Sequence, residues 1–285
     1  MRKRDSSRDE SRSHIDSTAT NWSTIPGMFI DTHCHLDAAE FGGAQAGIVR
    51  EARMAGVHGI VAPSVARANF DNVRALCEQY PGCAPAYGIH PMYVDDALPG
   101  DLDVLHDFLQ QHKPVAVGEI GLDFFIDHYD RARQEYFFVE QLKLAREFEL
   151  PVLLHIRRAL DTILKHLRQH KVRGGIAHAF NGSRQQANEF IKLGFKLGFG
   201  GAMTYPRATH LRELAATLPP ESIVLETDAP DIPPQWLKRG EPNTPANVAR
   251  IARTLAELRN MSVEDIARIT TQNVLSVLPK LALPD

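Results

Sequence analysis

Met28-Phe29-Ile30-Asp31-Thr32-His33-Cys34-His35 is the stretch from which the fold is read. A short apolar run leads directly into two histidines, and a strand buried on both faces has this continuous apolar character. Seven further runs of the same kind follow: Val57 to Ala62, Ala84 to Ile89, Val115 to Ile120, Val152 to His155, Gly175 to His178, Phe195 to Phe199 and Ile223 to Glu226. Helix-period segments separate them. The clearest runs from Arg131 to Glu149, where Phe138, Leu142 and Ala145 recur at spacings of four and three. Near the C-terminus, Thr244-Pro245 reads as cap and first turn before Val248, Ile251, Leu255 and Leu258, and Ser262 with Asp265 resembles a capping box. Strands alternating with helices, counted to eight, predict an α/β fold, a TIM (β/α)8 barrel.

The chain has 285 residues, 44% of them hydrophobic and 24% charged, the balance of an ordinary globular protein. No linker, repeat or low-complexity stretch interrupts residues 28 to 285, so these are expected to form one barrel domain. Residues 1 to 27 mix Arg2, Lys3, Arg4, Arg8 and Arg12 with acids and many serines and threonines, and read as a disordered N-terminal extension. No apolar core of a secretory signal follows those cations. No run reaches the roughly 20 apolar residues of a bilayer span, so no membrane contact is expected. Cys34, Cys77 and Cys83 are odd in number and form no CxxC pair, which fits a reducing cytoplasm. Net charge is −3, so no overall basic field draws in nucleic acid, and any phosphate must be held locally. A monomer without an obligate protein partner is the default expectation.

Chemistry collects at the carboxyl ends of the expected strands, where a TIM barrel places its active site. The first strand supplies His33 and His35, which a period of two points to one side. The fourth ends in Glu119, the fifth in His155, the sixth in His178 and the eighth in Asp228. One histidine at a strand end is more often structural than a ligand. Four imidazoles and two carboxylates at five strand ends are the donor set of a metal site.

In order along the chain, the motifs DTHCHLD from Asp31, GIHP from Gly88, GEIGLD from Gly118, LLHIR from Leu153, HAFNGS from His178 and ETDAP from Glu226 resemble the TatD family of metal-dependent hydrolases. The resemblance spans the chain from about Met28 to the last helix and leaves the N-terminal segment unexplained. It implies phosphoester hydrolysis, as by a deoxyribonuclease of the 3′-to-5′ exonuclease kind acting on single-stranded DNA, through water activated by two divalent ions. By motif, one ion would be held by His33, His35 and Asp228 and the second by His155 and His178, with Glu119 bridging. Imidazole-rich donors lean towards zinc or manganese, while nuclease activity in the family is often associated with magnesium. Asp228 would also serve as general base, and His90 would orient the substrate phosphate, a structural cap being its alternative. Arg157 and Arg239 are candidates to neutralise phosphate, or plain surface charges. Asn181 is a candidate hydrogen-bond donor, and Ser183 is either another or the N-cap of the next helix.

Other signals are weaker. His166 and His170 stand four apart but lack the glutamate of HExxH, so a solvated helix face is expected. Gly198-Phe199-Gly200-Gly201 resembles a phosphate loop, though tight strand-end geometry explains its glycines. Cys34 reads as core. The rival enzyme reading is an amidohydrolase acting on a cyclic amide or other C–N bond; many such enzymes carry a carbamylated lysine where this chain has Glu119. A binding protein without turnover would be expected to lack a ligand or the base. A sequence-specific nucleic-acid reader ranks last, since no reader motif, basic stripe or aromatic platform is visible in the sequence.

Overall fold

The computed structural model describes residues 28–284, so the extension expected at 1–27 lies outside the described residues. Eight strands alternate with helices: β1 Phe29–Asp31, α1 Gln45–Met54, β2 Val57–Pro63, α2 Phe70–Gln79, β3 Cys83–Tyr87, α3 Asp101–His112, β4 Ala116–Asp123, α4 Arg131–Glu147, β5 Val152–Arg157 and α5 Leu160–Gln169. The series continues with β6 Gly175–Ala177, α6 Arg184–Lys192, β7 Phe195–Phe199, α7 Thr209–Thr217, β8 Ile223–Leu225, α8 Val248–Arg259 and α9 Val263–Val277. The strands pair in parallel in chain order, β1 to β8. Thr32 N donates to Leu225 O at 3.1 Å and Asp228 N to His33 O at 2.9 Å, bringing the two end strands together. The fold is the expected TIM barrel. The differences lie at strand ends: β4 and β5 run on to Asp123 and Arg157, while β1, β6 and β8 stop short of the histidines and acids that follow them.

Two apolar clusters account for the layering. The larger packs the outward faces of the strands against the helices and includes Phe29, Val117, Ile120, Leu154, Leu197 and Leu225. The smaller fills the barrel interior with Ile30, Val61, Ala86, Ala116, Leu153, Ile176 and Val224, which alternate with the outer set along their strands. Val274 and Val277 at the end of α9, with Leu278 and Leu281 beyond it, join this inner cluster. The last helix therefore plugs the barrel at the end opposite the motif residues. Ser262 caps it by accepting from Asp265 N at 3.1 Å. Among the described residues, no helix is long and apolar enough to cross a membrane.

Leu278 is wholly buried in that plug. Its replacement by Ala removes buried methyl groups and leaves a cavity, so urea titration should give an unfolding free energy lower by ~3 kcal/mol. A loss below ~1 kcal/mol would mean that the plug is loosely packed.

Candidate metal centre

The centre is assembled around Glu119, and a defect in β4 puts it there. Residues Val117 and Ile120 of β4 pair with Val152 and Leu154 of β5, so one strand advances by three while its neighbour advances by two. That extra residue is a β-bulge. Under strict alternation Glu119 would share the outward face of Val117; the bulge turns it inward and restores Ile120 to the outer core. Glu119 N donates to Ser64 O at 3.0 Å. Ser64 is fixed in turn, its Oγ accepting from Gly88 N at 2.9 Å and donating to Gly88 O at 3.0 Å.

Five imidazoles surround this one carboxylate. Oε2 faces the pair that follows β1, His33 Nε2 at 3.0 Å and His35 Nε2 at 3.4 Å. Oε1 faces His155 Nδ1 at 3.0 Å, His178 Nε2 at 3.3 Å and His90 Nε2 at 3.5 Å. Asp228 Oδ1 stands 3.6 Å from both His33 Nε2 and His35 Nε2, and its side chain is 15% exposed. Asp228 occupies the left-handed region at φ +57°. Donor atoms of His33, His35 and Asp228 lie within 4.8 Å of one another, as do those of His33, Glu119 and His178, and those of His90, Glu119 and His155.

Imidazole and carboxylate donors so arranged fit divalent transition-metal ions, with one Glu119 oxygen turned to each group of histidines. His90 differs from the others. Its Nδ1 accepts from Met92 N at 3.1 Å, so the proton of a neutral ring sits on Nε2, which is then a donor rather than a ligand.

Burial dominates the electrostatics. It pushes His33 down to about 3 and His90 down to about 4, so both rings are neutral at ordinary pH. Burial alone would raise Glu119, but His33, His90 and His178 hold its carboxyl well below the usual range. Burial also opposes charge on His155 and His178, yet the acids beside them win: Asp123 and Glu119 raise His155, and Asp228 and Glu119 raise His178 well above 6.5. Asp228 itself is pushed up to about 6 by burial, against the pull of His178 and His35.

Two buried acids outside the expected set back the histidines. His155 Nε2 lies 3.1 Å from Asp123 Oδ2, and Asp123 is held by Phe125 N, which donates to Oδ1 at 2.9 Å. Glu226 Oε1 lies 3.7 Å from His178 Nδ1 and accepts from Ala179 N at 2.5 Å. Gly198 makes room for that acid, since a Cβ there would stand 2.0 Å from Glu226 Oε2. Gly200 and Gly201, just after β7, are close-packed as well: a Cβ would stand 2.9 Å from Glu226 O at the first and 2.2 Å from Ile232 O at the second. A third acid, Asp31, ties β1 to β8 by accepting from Thr227 N at 3.0 Å and Thr227 Oγ1 at 2.5 Å.

The centre opens into a cleft of about 1180 Å³ lined by Arg157 and Asn181 among the expected substrate contacts. Arg157 stacks on the ring of Phe125, 3.7 Å from its centroid. Arg239 is exposed in the turn at Lys238–Glu241 and is not among the cleft residues. Ser183 is the N-cap of α6, accepting from Gln186 N at 3.1 Å. His166, expected on a solvated face, is instead buried, with Nε2 2.8 Å from Glu135. Cys34 is wholly buried in the outer core, as expected.

Outer partners that orient ligand histidines typically contribute ~10–100-fold to metal affinity. Calorimetric titration with zinc should find Asp123→Asn and Glu226→Gln weakened by that factor, with thermal stability of the metal-free protein nearly kept. The raised His155 and His178 must lose protons to bind an ion, so wild-type affinity should rise with pH through the neutral range. Affinity independent of pH would place the ion elsewhere.

Residues 30–279 match the profile of a family described as TatD related DNase. The chain is 43% identical over 252 residues to the uncharacterized metal-dependent hydrolase YjjV of Escherichia coli K12, covering 87% of this chain and 97% of that one. It is 34% identical over 248 residues to the uncharacterized metal-dependent hydrolase YabD of Bacillus subtilis, covering 86% and 97%. The crystal structure of YjjV superposes with a TM-score of 0.85 over 88% of this chain and 98% of that one, at 42% identity. A TatD family hydrolase from Entamoeba histolytica shares the fold at 20% identity, with a TM-score of 0.79. The chain described here belongs to the TatD family of metal-dependent hydrolases.

Proposed function

We propose that the chain is a phosphodiesterase, a deoxyribonuclease acting on single-stranded DNA through two divalent ions. The observation that carries this reading is the division of Glu119 between two groups of histidines, with Asp228 on the side open to the cleft. His33, His35 and Asp228 would hold one ion, His155 and His178 the other, and Glu119 would bridge them. When bound, the ions supply a water of lowered pKa and positive charge opposite the phosphoryl oxygens. Zinc or manganese suits the imidazole donors better than magnesium.

The chain's own groups supply the rest. Asp228, raised by burial, accepts a proton more readily than a surface aspartate and would take it from the attacking water. The new P–O bond replaces the bond to the departing nucleoside oxygen, which gains a proton as Asp228 gives one up. Neutral His90 would donate from Nε2 to a phosphate oxygen, its orientation held by the Met92 amide. Arg157 and Asn181 line the cleft where further phosphate oxygens would lie. Arg239 stands outside the cleft residues and has no part in this reading.

Metal-reconstituted protein should shorten end-labelled single-stranded DNA, and labelling each end in turn gives the polarity, expected to be 3′ to 5′. Asp228→Asn should lower turnover by ~10²–10⁴-fold with the circular dichroism spectrum unchanged, and chelation should abolish activity. A wild type that binds metal but cleaves only cyclic amides would overturn the proposal in favour of the amidohydrolase reading.

A further inference from the structure

The cleft is not lined alike on its two sides. In a barrel ordered β1 to β8, the loops after β3, β4 and β5 stand across from those after β7, β8 and β1. The first group brings Met92, Tyr93, Phe125, Arg157 and Arg158 to the cleft, with Glu119 and Asp123 buried beneath them; the second brings Asp37, Glu40 and Asp231 beside the proposed ligands His35 and Asp228. Exposed aromatic surface is concentrated on the first side, with Tyr93 46% and Phe125 42% exposed beside the half-exposed Met92. Arg157 and Arg158 both lie over the Phe125 ring, at 3.7 and 4.6 Å from its centroid. From this rim, rings step inward: Tyr93 is 6.1 Å from His90, and His90 is 4.3 Å from His155 at the centre.

Exposed apolar rings grouped at the rim of a cleft form a surface that a ligand can cover. Guanidinium groups held on an aromatic face, next to a site that would receive phosphate, match the two chemistries of a single-stranded polynucleotide, flat bases and a regular anion. The acids opposite repel that anion and leave it one side to follow. A cleft of about 1180 Å³ also exceeds the ~300–1000 Å³ usual for small-molecule sites. With a net charge of −3 the protein has no overall field to hold DNA, so affinity must come from a few local contacts.

We propose that Phe125, with Arg157 and Arg158 stacked on it and Tyr93 beside His90, is a base-stacking platform that holds a single-stranded polynucleotide along the β3–β5 side of the cleft. The proposal rests on the phosphodiesterase reading for its place beside the reaction. It adds that bases, as well as phosphates, are recognised.

Fluorescence anisotropy on the metal-loaded protein tests it without turnover, using a labelled oligothymidylate with cleavage-resistant phosphorothioate links and an abasic oligomer of the same length and linkage. Wild type should bind the base-bearing strand about 10-fold or more tighter than the abasic one. Phe125→Ala should erase that preference and Phe125→Trp should keep it. The logarithmic salt slope should be shallow, about −1.4, as for two phosphates neutralised on a single strand. Equal binding of the two strands by wild type, a preference that survives Phe125→Ala, or no binding at all would overturn the platform. Cleavage of ordinary DNA combined with equal binding of the base-bearing and abasic strands would sink the platform and leave the nuclease reading standing. Base-dependent binding without cleavage would do the reverse.

Discussion

One carboxylate meeting five imidazoles is the contact on which the centre depends. Glu119 is buried, and a buried acid is tolerated only when cationic or hydrogen-bonding partners offset its lost hydration. Those partners come from the ends of β1, β3, β5 and β6, so the requirement cannot be met until the barrel is nearly complete. Fold and site are thereby coupled: the residues that give the centre its chemistry also pull strand ends from three-quarters of the barrel towards one point. The β4 bulge is the local irregularity that makes this convergence possible.

A second ring of acids shares the load. Asp123 and Glu226 stand behind His155 and His178, and Asp31 joins β1 to β8 below His33. Each accepts from at least one backbone N–H, of Phe125, Ala179 and Thr227 respectively, so its position is tied in part to the main chain. The glycine at 198 is the counterpart of Glu226: the space a side chain would take on β7 is given to an acid on the strand beside it.

Much of this was readable from the sequence, for identifiable reasons. Parallel strands buried on both faces leave continuous apolar runs, so the eight runs from Met28 to Glu226 carried the architecture. The six proposed donors could be placed because each lies within two residues of the end of such a run, and the structure gathers the four proposed ligand histidines around Glu119, with Asp228 beside His33 and His35. Strand limits were less legible, since pairing at β4 and β5 continues through polar residues, Asp123 and Arg157, that look like loop. The bulge was invisible because Val117 and Ile120 differ by three, which in a list of apolar positions looks like imperfect alternation. Asp123 and Glu226 sat inside motifs already singled out, GEIGLD and ETDAP; two-residue spacing from Gly121 to Asp123 and from Glu226 to Asp228 was the available signal. Exposed Phe125 and Tyr93 gave none, because exposure is a property of the fold. His166 was misplaced for the same reason, since its partners Glu135, 31 residues away in the chain, and Phe138 lie on a different helix.

The closure of the barrel by α9 bears on traffic through the molecule. With Val274, Val277 and Leu278 filling the far end, the interior is a blind alley and not a tunnel. Among the described residues, the cleft is then both the way in for a reactant and the way out for the pieces made from it. Each turnover then ends with a vacating step at the same rim that admits the next molecule.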